Sequence, residues 1–153
     1  REKSNFRKSF LLKISPDIED TFIGKIIELS LQHKIDGLIL TNTSDQNRQN
    51  LKDEKKDETG GLSGKPIKDL STDCIKKFYK QLNGKIPIIG VGGVDSGISA
   101  FEKLSAGASA VQLYTGMIYK GPTIVRDIKK ELISIMNDEG IKNIKEVIGS
   151  NSN

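Results

Sequence analysis

One stretch of the 153-residue sequence decides the fold: Ile86-Pro-Ile-Ile-Gly-Val-Gly-Gly-Val-Asp-Ser96. Its first half is a short apolar run of strand length, and Gly92 and Gly93 mark the end of that run. Ser96 then favours a helix start, because its hydroxyl can accept a hydrogen bond from an amide of the first helical turn. The stretch therefore predicts a strand, a tight glycine turn and a helix, which together form one β–α unit.

The same pattern occurs on both sides of this stretch. Apolar runs predict three further strands, over residues 9–14, 36–42 and 109–114. Apolar residues at helical spacing follow the strands, over residues 22–30, 75–82, 100–104 and 124–136. Ser71 is predicted to cap the second helix, Pro122 to open the last long helix and Gly140 to end it. Residues 144–148 predict a short closing helix, and residues 43–65 a long polar loop.

Four strands that alternate with helices are typical of a parallel sheet with crossover helices. A complete (β/α)₈ barrel needs eight strands and ~250 residues, so the pattern corresponds to about half of one. An open four-stranded α/β domain is the alternative, and it would leave two sheet edges exposed. Composition does not decide between the two, and no linker divides the chain into separate domains.

Composition excludes several classes of protein. A single Cys rules out an internal disulfide scaffold. The longest apolar runs are well short of the ~18 residues that a membrane helix needs, and the charged start lacks an apolar signal core. With 24 Lys+Arg against 20 Asp+Glu, the net charge of +4 is mild. No basic stripe with interleaved aromatic residues is visible, so a nucleic-acid partner is not predicted.

Two glycine-containing loops follow the third and fourth predicted strands, namely Gly90-Val-Gly-Gly-Val-Asp-Ser-Gly97 and Leu113-Tyr-Thr-Gly116. If the strands are the last two of a barrel, both loops lie at the usual phosphate site of such barrels. The alternative is that Gly92 and Gly93 only serve a tight turn. The first loop has Asp95 where a dinucleotide-binding motif needs its third glycine, and Pro66 follows Gly64-Lys65 where a P-loop needs Ser or Thr.

Two other positions near strand ends are candidates for ligand contacts. Lys13 lies within the apolar run Phe10-Leu-Leu-Lys-Ile14, where it either faces solvent or points into a barrel mouth and meets an anion. Thr41, Asn42 and Thr43 end the second strand with three hydrogen-bonding side chains, which suit either a ligand site or a capped turn. The sequence places no residues around His33 for catalysis or metal binding, and Cys74 is expected to be a packing residue.

Several motifs occur in an order that resembles the carboxyl-terminal half of dihydroorotate dehydrogenase. They are Lys13-Ile-Ser-Pro-Asp17, Thr41-Asn-Thr43, Glu58-Thr-Gly-Gly-Leu-Ser-Gly-Lys-Pro66, Asp69-Leu-Ser-Thr72, Pro87-Ile-Ile-Gly-Val-Gly-Gly-Val94, Ala106-Gly-Ala108 and Val111-Gln-Leu-Tyr-Thr115. The Ser-Gly-Lys-Pro and Asp-Leu-Ser-Thr segments resemble the membrane-associated, quinone-dependent class. The resemblance implies that residues 1–153 are the carboxyl-terminal half of a (β/α)₈ TIM barrel whose amino-terminal half is absent.

The resemblance also implies a cofactor and its contacts. The family binds FMN and oxidises dihydroorotate to orotate in pyrimidine synthesis, and in this class ubiquinone reoxidises the flavin. Lys13 and Thr41 would contact the flavin, and Asn42 and Thr43 would bind orotate. The ribityl phosphate would be held, chiefly through backbone groups, by Gly64, Gly92, Gly93, Tyr114 and Thr115. The implied location in a eukaryote is the mitochondrial inner membrane.

One element of the family's chemistry is not matched in this sequence. The family's catalytic base is a Ser in the amino-terminal half of the barrel, on a loop upstream of the Lys13 strand, and Ser44, Ser63 and Ser71 do not match its motif, so no catalytic residue is assigned here. The chain alone is therefore expected to be inactive and to need the amino-terminal half as its partner. The alternatives are another phosphate-binding flavin barrel, and a non-catalytic half-barrel that only scaffolds or binds a partner.

Overall fold

A parallel four-stranded sheet forms the centre of the molecule. The computed structural model describes residues 8–46 and 48–152. The strands are β1 (Leu11–Ile14), β2 (Gly37–Leu40), β3 (Ile88–Val91) and β4 (Ala110–Gln112), and they lie side by side in sequence order. All three neighbouring pairs are parallel, as the alternation of strands and helices predicted.

Helices connect the strands and cover one face of the sheet. They are α1 (Asp20–Gln32), α2 (Lys68–Leu82), α3 (Gly97–Ser105), α4 (Thr115–Lys120) and α5 (Ile124–Asp138). Short 3₁₀ turns occur at Glu54–Asp57, Lys65–Ile67 and Ile144–Glu146. No helix in residues 8–46 and 48–152 is long and apolar enough to cross a membrane.

The hydrophobic core lies between the sheet and the helices. Leu38, Leu40 and Ile88 are buried against Ile75 and Phe78 of α2. A second cluster joins Val94 and Ala100 to Ile124 and Ile128 of α5. Because side chains alternate along a strand, Lys13, Ile39 and Ile89 share the opposite face of the sheet, where they are in register across β1, β2 and β3.

The predicted strands and long helices are confirmed, with strands somewhat shorter than their apolar runs, but the start of α2 is not where the sequence placed it. Ser71 was predicted to cap this helix, whereas α2 begins at Lys68 and continues from the 3₁₀ turn Lys65–Ile67. Ser71 is therefore inside the helix, fully buried, with its hydroxyl donating to the carbonyl oxygen of Val91. The Ser71 hydroxyl thus makes a tertiary hydrogen bond to β3 instead of the local capping bond that the sequence predicted.

Two features near the carboxyl end were located less exactly by the sequence. Helix α4 was not predicted, because its six residues are too few to show helical spacing. Helix α5 begins two residues after Pro122 rather than at it.

By contrast, Ser96 caps α3 as predicted, with its hydroxyl accepting from the Ser99 amide.

The segment after α5 folds back onto the end of α3. The amides of Gly149 and Asn151 donate to the carbonyl oxygens of Leu104 and Ser105, at 3.0 and 2.9 Å. The ring of Tyr79 lies so close to the Gly149 backbone that a Cβ there would be 2.3 Å from a ring carbon. This segment thus extends the packing of α2 against α3.

Candidate functional site

A cleft of about 340 Å³ lies at the carboxyl ends of the four strands. It has contributions from the end of every strand and from the loop that precedes α2. All nine residues singled out from the sequence line it: Lys13, Thr41, Asn42, Thr43, Gly64, Gly92, Gly93, Tyr114 and Thr115. The loops are far apart in sequence and meet here because parallel strands present their carboxyl ends at one edge of the sheet.

Three glycines form a concave backbone surface in this cleft, which we call the glycine cradle (Gly64, Gly92 and Gly93). All three have positive φ, at 76°, 116° and 70°. A Cβ on Gly64 would lie 2.8 Å from the Thr115 side chain, and one on Gly93 would lie 2.5 Å from Cβ of Lys68. Glycine is thus required both by the backbone conformation and by close packing. Backbone concavities of this kind are suited to oxygen-rich anions.

Hydroxyl groups support the cradle from two sides. The Thr115 hydroxyl donates to the Ser63 hydroxyl at 2.9 Å, which joins the loop after β4 to the segment that carries Gly64. The Ser71 hydroxyl donates to the Val91 carbonyl oxygen, next to Gly92. These bonds connect three sequence segments behind one backbone surface. The cradle is therefore formed by tertiary contacts rather than by one local motif.

Lys13 lies on the wall of the same cleft. Its side chain is exposed, on the sheet face opposite the buried Ile14. The two interpretations of this lysine, solvent exposure and an inward position at the mouth of a barrel, are therefore compatible in this structure. Its position can bring a positive charge to one side of a ligand whose anionic end rests in the glycine cradle.

The Thr41–Thr43 segment is held firmly at its start and is accessible at its end. Thr41 is buried, and its amide donates to the Val91 carbonyl oxygen at 3.1 Å. The Asn42 amide donates to the Ile14 carbonyl oxygen at 2.8 Å, while the Asn42 side chain is exposed to the cleft. The backbone of this segment is thus hydrogen-bonded to β1 and β3. The exposed carboxamide group of the Asn42 side chain can meet a ligand in the cleft.

The long loop between β2 and α2 is ordered by side-chain contacts to backbone. The Arg48 guanidinium donates to the carbonyl oxygens of Lys56, Glu58 and Gly60. The predicted polar segment 53–58 is exposed except for the half-buried Lys56, and it contains a 3₁₀ turn. Gly61 lies against the Thr43 side chain, since a Cβ on Gly61 would overlap it at 2.0 Å. The loop therefore packs directly over one of the predicted ligand contacts.

Among the residues at or behind the cleft that the sequence did not single out, two carry polar side chains of interest. Gln112, at the end of β4, lines the cleft, and the signal that could have found it is a polar residue at a predicted strand end. Lys103 is fully buried on α3 behind the cradle. Burial lowers the pKa of its amine from 10.5 to about 7.

The remaining expectations concern side chains outside the cleft. His33 is exposed at the end of α1, as expected for a solvated residue. Cys74 is buried in the core, and this burial raises the pKa of its thiol to about 12. A thiol that stays protonated at neutral pH is a poor nucleophile, which agrees with the packing role predicted for it.

Comparison with known proteins identifies relatives over most of the chain. A sequence model of the family described as dihydroorotate dehydrogenase matches residues 1–136. The mitochondrial dihydroorotate dehydrogenase (quinone) of Mus musculus is 44% identical over 143 residues, which cover 94% of this chain and 36% of the mouse protein. The dihydroorotate dehydrogenase (quinone) of Christiangramia forsetii is 48% identical, over 86% of this chain and 38% of its own.

A crystal structure shows the same backbone arrangement. The Eimeria tenella enzyme, described in complex with ferulenol, superposes with a TM-score of 0.91 and 44% sequence identity. The match covers 97% of this chain and 40% of that one. The chain thus spans about two fifths of the length of the relatives that it matches, and its four strands correspond to a contiguous part of their fold.

Proposed function

The chain belongs to the dihydroorotate dehydrogenase family, and we propose that it supplies the carboxyl-terminal half of an FMN-dependent (β/α)₈ barrel that oxidises dihydroorotate to orotate in de novo pyrimidine (UMP) synthesis. The observation that carries this proposal is the single cleft that gathers all nine predicted contacts at the carboxyl ends of the strands. The chain covers only about two fifths of the length of its relatives. This share supports the proposal that a partner half supplies the remaining strands of the barrel.

The donor set of the cleft fits FMN. The glycine cradle suits a ribityl phosphate, because backbone amides at positive-φ glycines can approach an anion without a side chain between them. Tyr114 and Thr115 extend this surface at the start of α4. Thr41 and Lys13 lie where the ring system of the cofactor would continue toward β1. When bound, FMN supplies the hydride acceptor, and the chain's own residues bind and orient it.

Lys13 is proposed to stabilise negative charge on the flavin ring. Flavin reduction places negative charge on the pyrimidine edge of the ring system, and a nearby ammonium favours that form. The exposed position of Lys13 on the cleft wall gives its flexible side chain access to this edge. Because the charge grows during reduction, Lys13 contributes mainly to the transition state and the product.

Asn42 and Thr43 are proposed to bind and orient orotate. The Asn42 side chain offers both donors and an acceptor to the cleft, which matches the alternating amide groups of a pyrimidine ring. The backbone bond from Asn42 to Ile14 fixes the position of this segment. The base that removes the substrate proton is proposed to come from the partner half of the barrel, since Ser44, Ser63 and Ser71 are already engaged in structural hydrogen bonds.

The electron acceptor is proposed to be a quinone, reached through the partner half. The relatives from Mus musculus and Christiangramia forsetii are both named for quinone. The mouse relative is also named mitochondrial, which supports a mitochondrial location in a eukaryotic cell. The inner membrane is proposed from the family resemblance.

The proposal is tested by completing the barrel. This chain is mixed with, or fused to, the amino-terminal half of the Eimeria tenella relative, and flavin retention on gel filtration and dihydroorotate-dependent dye reduction are measured. We expect the chain alone to be inactive and to hold FMN weakly, and the completed barrel to bind one FMN per protomer and turn over. Since general-base assistance is worth ~10²–10⁴ in rate, substantial oxidation by the chain alone would contradict the half-site assignment.

Orotate titration separates this substrate from others. The completed barrel should bind orotate in competition with dihydroorotate, with a change in the flavin spectrum. A barrel that retains FMN but ignores orotate would be another phosphate-binding flavin barrel. A barrel that retains no flavin would leave only a scaffolding role for this chain.

A further inference from the structure

Lys103 is a buried lysine with defined partners but no assigned role. Its side chain, on α3, has no exposed surface. Its Nζ donates to the carbonyl oxygen of Lys68 at 2.7 Å and to the Thr72 hydroxyl at 2.6 Å. The Thr72 hydroxyl in turn donates to the same Lys68 carbonyl oxygen at 2.8 Å. The amine therefore closes a small hydrogen-bonded network on the first turn of α2.

This first turn of α2 is the support of the glycine cradle. Lys68 packs on Gly93 so closely that a Cβ on Gly93 would be 2.8 Å from Cα of Lys68. One turn later, Ser71 packs on Gly92, where a Cβ would be 2.9 Å from Cβ of Ser71. The Ser71 hydroxyl also donates to Val91. A small shift of this turn would therefore move two of the three glycines of the cradle.

Lys103 is also anchored on β3. A Cβ on Gly90 would be 3.3 Å from Cβ of Lys103, so the lysine stem lies against the strand that leads into Gly92. The side chain thus spans from β3 to the carbonyl oxygen of Lys68, on the far side of the cradle from the cleft. An ion pair between Lys68 Nζ and a carboxylate oxygen of Glu102, at 2.8 Å, also connects α2 to α3, on the solvent side of the buried amine.

We propose that Lys103 is a positioning residue for the glycine cradle: its buried amine fixes the first turn of α2, and that turn fixes the backbone of Gly92 and Gly93. Lys103 touches neither FMN nor orotate in this role. The proposal rests on the proposed function only where it calls the cradle an anion site. The contacts from Lys103 through the first turn of α2 to Gly92 and Gly93 are the same whatever the cradle binds.

The surroundings of Lys103 make its hydrogen bonding sensitive to pH. Desolvation lowers the pKa of the amine to about 7. The charged groups with the largest effect on it are Glu102 on its own helix and Lys68 and Asp69 on α2, and the Cys74 thiol is a further titratable neighbour. Glu102 and Asp69 favour the ammonium, whereas Lys68 opposes it. The network behind the cradle therefore changes its proton count close to neutral pH.

The test follows the cradle itself in the 153-residue chain. Backbone amide shifts and hydrogen exchange of Gly92 and Gly93 are measured by NMR between pH 6 and pH 9, in the wild type and in Lys103→Met, which keeps the stem and removes the donors. We expect the wild-type amide shifts to titrate together with Lys103 Nζ, and this titration to vanish in Lys103→Met. Loss of the network should accelerate exchange at Gly93 roughly tenfold beyond any change in global stability.

Two further variants keep the test decisive. Thr72→Val removes the hydroxyl partner of the Lys103 amine with little change in shape, and it should also accelerate exchange at Gly93. This variant provides the test if Lys103→Met fails to fold. Lys80→Met, on an exposed part of α2, is the matched control and should leave both glycine amides unchanged. Glycine amides that neither titrate nor exchange faster in Lys103→Met and Thr72→Val would overturn the positioning role.

A second measurement connects the cradle to its ligand. In the completed barrel, Lys103→Met should weaken FMN binding by about tenfold, as expected for a displaced hydrogen-bonding surface, while orotate affinity of the flavin-loaded enzyme stays unchanged. Unchanged FMN affinity would contradict the role. If the wild-type barrel binds no FMN, the proposed function fails, and the amide measurements alone decide the role of Lys103.

Discussion

The hydroxyl of Ser44 donates a 2.6 Å hydrogen bond to a carboxylate oxygen of Asp17, 27 residues away in sequence. The second oxygen of Asp17 accepts from the Asp45 amide at 2.8 Å. Asp17 lies just after β1 and Ser44 just after β2, so this carboxylate joins the loops at the ends of two strands. Ser44 is fully buried. The position of Asn42 and Thr43 at the cleft depends on this junction.

Replacement of Asp17 should loosen the loop after β2. We expect Asp17→Ala to lower the free energy of unfolding by about 2 kcal/mol, because hydrogen bonds to a charged group are lost and buried polar atoms lose a partner. Urea unfolding measures this change. Asp45→Ala is the matched control, since its backbone amide and not its exposed carboxylate contacts Asp17. An equal decrease in the free energy of unfolding in both variants would show that the hydrogen bonds of the Asp17 carboxylate do not stabilise the loop.

Substitution of Gly93 should be far more damaging than substitution of Gly84. Both have positive φ, at 70° and 74°. A Cβ on Gly84 would meet no atom of residues 8–46 and 48–152 within 4 Å, whereas one on Gly93 would run into Lys68. Gly84→Ala should therefore show conformational strain alone, ~1–2 kcal/mol. Gly93→Ala should lose a further ~1–3 kcal/mol from overpacking. Urea midpoints of the two variants give the difference, and similar midpoints would argue against a rigid contact at Gly93.

The stability of the chain should rise between pH 7 and pH 9 because of Lys103. In this window the unfolded lysine, with its usual pKa of 10.5, binds a proton that the folded amine has largely released. The unfolded state therefore binds more protons, and the free energy of unfolding rises by up to ~1.4 kcal/mol per pH unit, or about 2 kcal/mol in all.

Lys103→Met should flatten this rise, which is measured by urea unfolding at several pH values. Above pH 9 the buried Cys74 opposes the trend, because its thiol stays protonated when folded but ionises when unfolded. The comparison is therefore made below that pH. A wild-type profile that falls from pH 7 to pH 9, in parallel with that of Lys103→Met, would exclude a neutral buried amine.

Lys13 and Asn42 should affect different steps in the completed barrel. Lys13→Ala should slow flavin reduction about 10²–10³-fold, as for the loss of one charge-stabilising contact, with a smaller effect on orotate binding. Stopped-flow absorbance of the flavin measures this rate, and a wild-type rate would remove Lys13 from the site.

Asn42→Ala should mainly weaken orotate binding, by about 1–3 kcal/mol, since polar groups of the ring lose a partner. Titration of orotate into the oxidised barrel measures the effect. Val125→Ala on α5, outside the cleft, is a control for general effects of truncation. Unchanged orotate affinity in Asn42→Ala would leave Thr43 as the remaining candidate on this segment.

Local patterns in the sequence were sufficient to predict the strands and the long helices. Apolar runs located β1 to β4, and the Ser96 cap located the start of α3, because these elements follow from short-range periodicity and capping. The cleft residues near strand ends were largely predicted, since glycines and polar side chains at the ends of parallel strands converge, whereas Gly64 was implied only by the family resemblance and Gln112 was missed. The roles of these residues in binding FMN and orotate stay predictions until they are measured.

Long-range contacts account for what the sequence could not reveal. Ser71 looked like a helix cap, but its hydroxyl is used by Val91, 20 residues away. No sequence pattern singled out Lys103, and only the approach of α2 to α3 shows that it is buried. The short helix α4 has too few residues for a periodic pattern. For Ser71 and Lys103 the deciding partner lies on another element of the fold.

The glycine cradle has a consequence for inhibitor resistance. A compound that binds the amides of Gly92 and Gly93 would contact groups that every residue type except proline possesses, so most point mutations cannot delete them. A side chain added at either position would enter the space of Ser71 or Lys68 and disturb the surface that the proposed cofactor would also use. Mutations that evict such a compound should therefore carry a fitness cost, and escape should arise more readily through exposed side chains such as Tyr114.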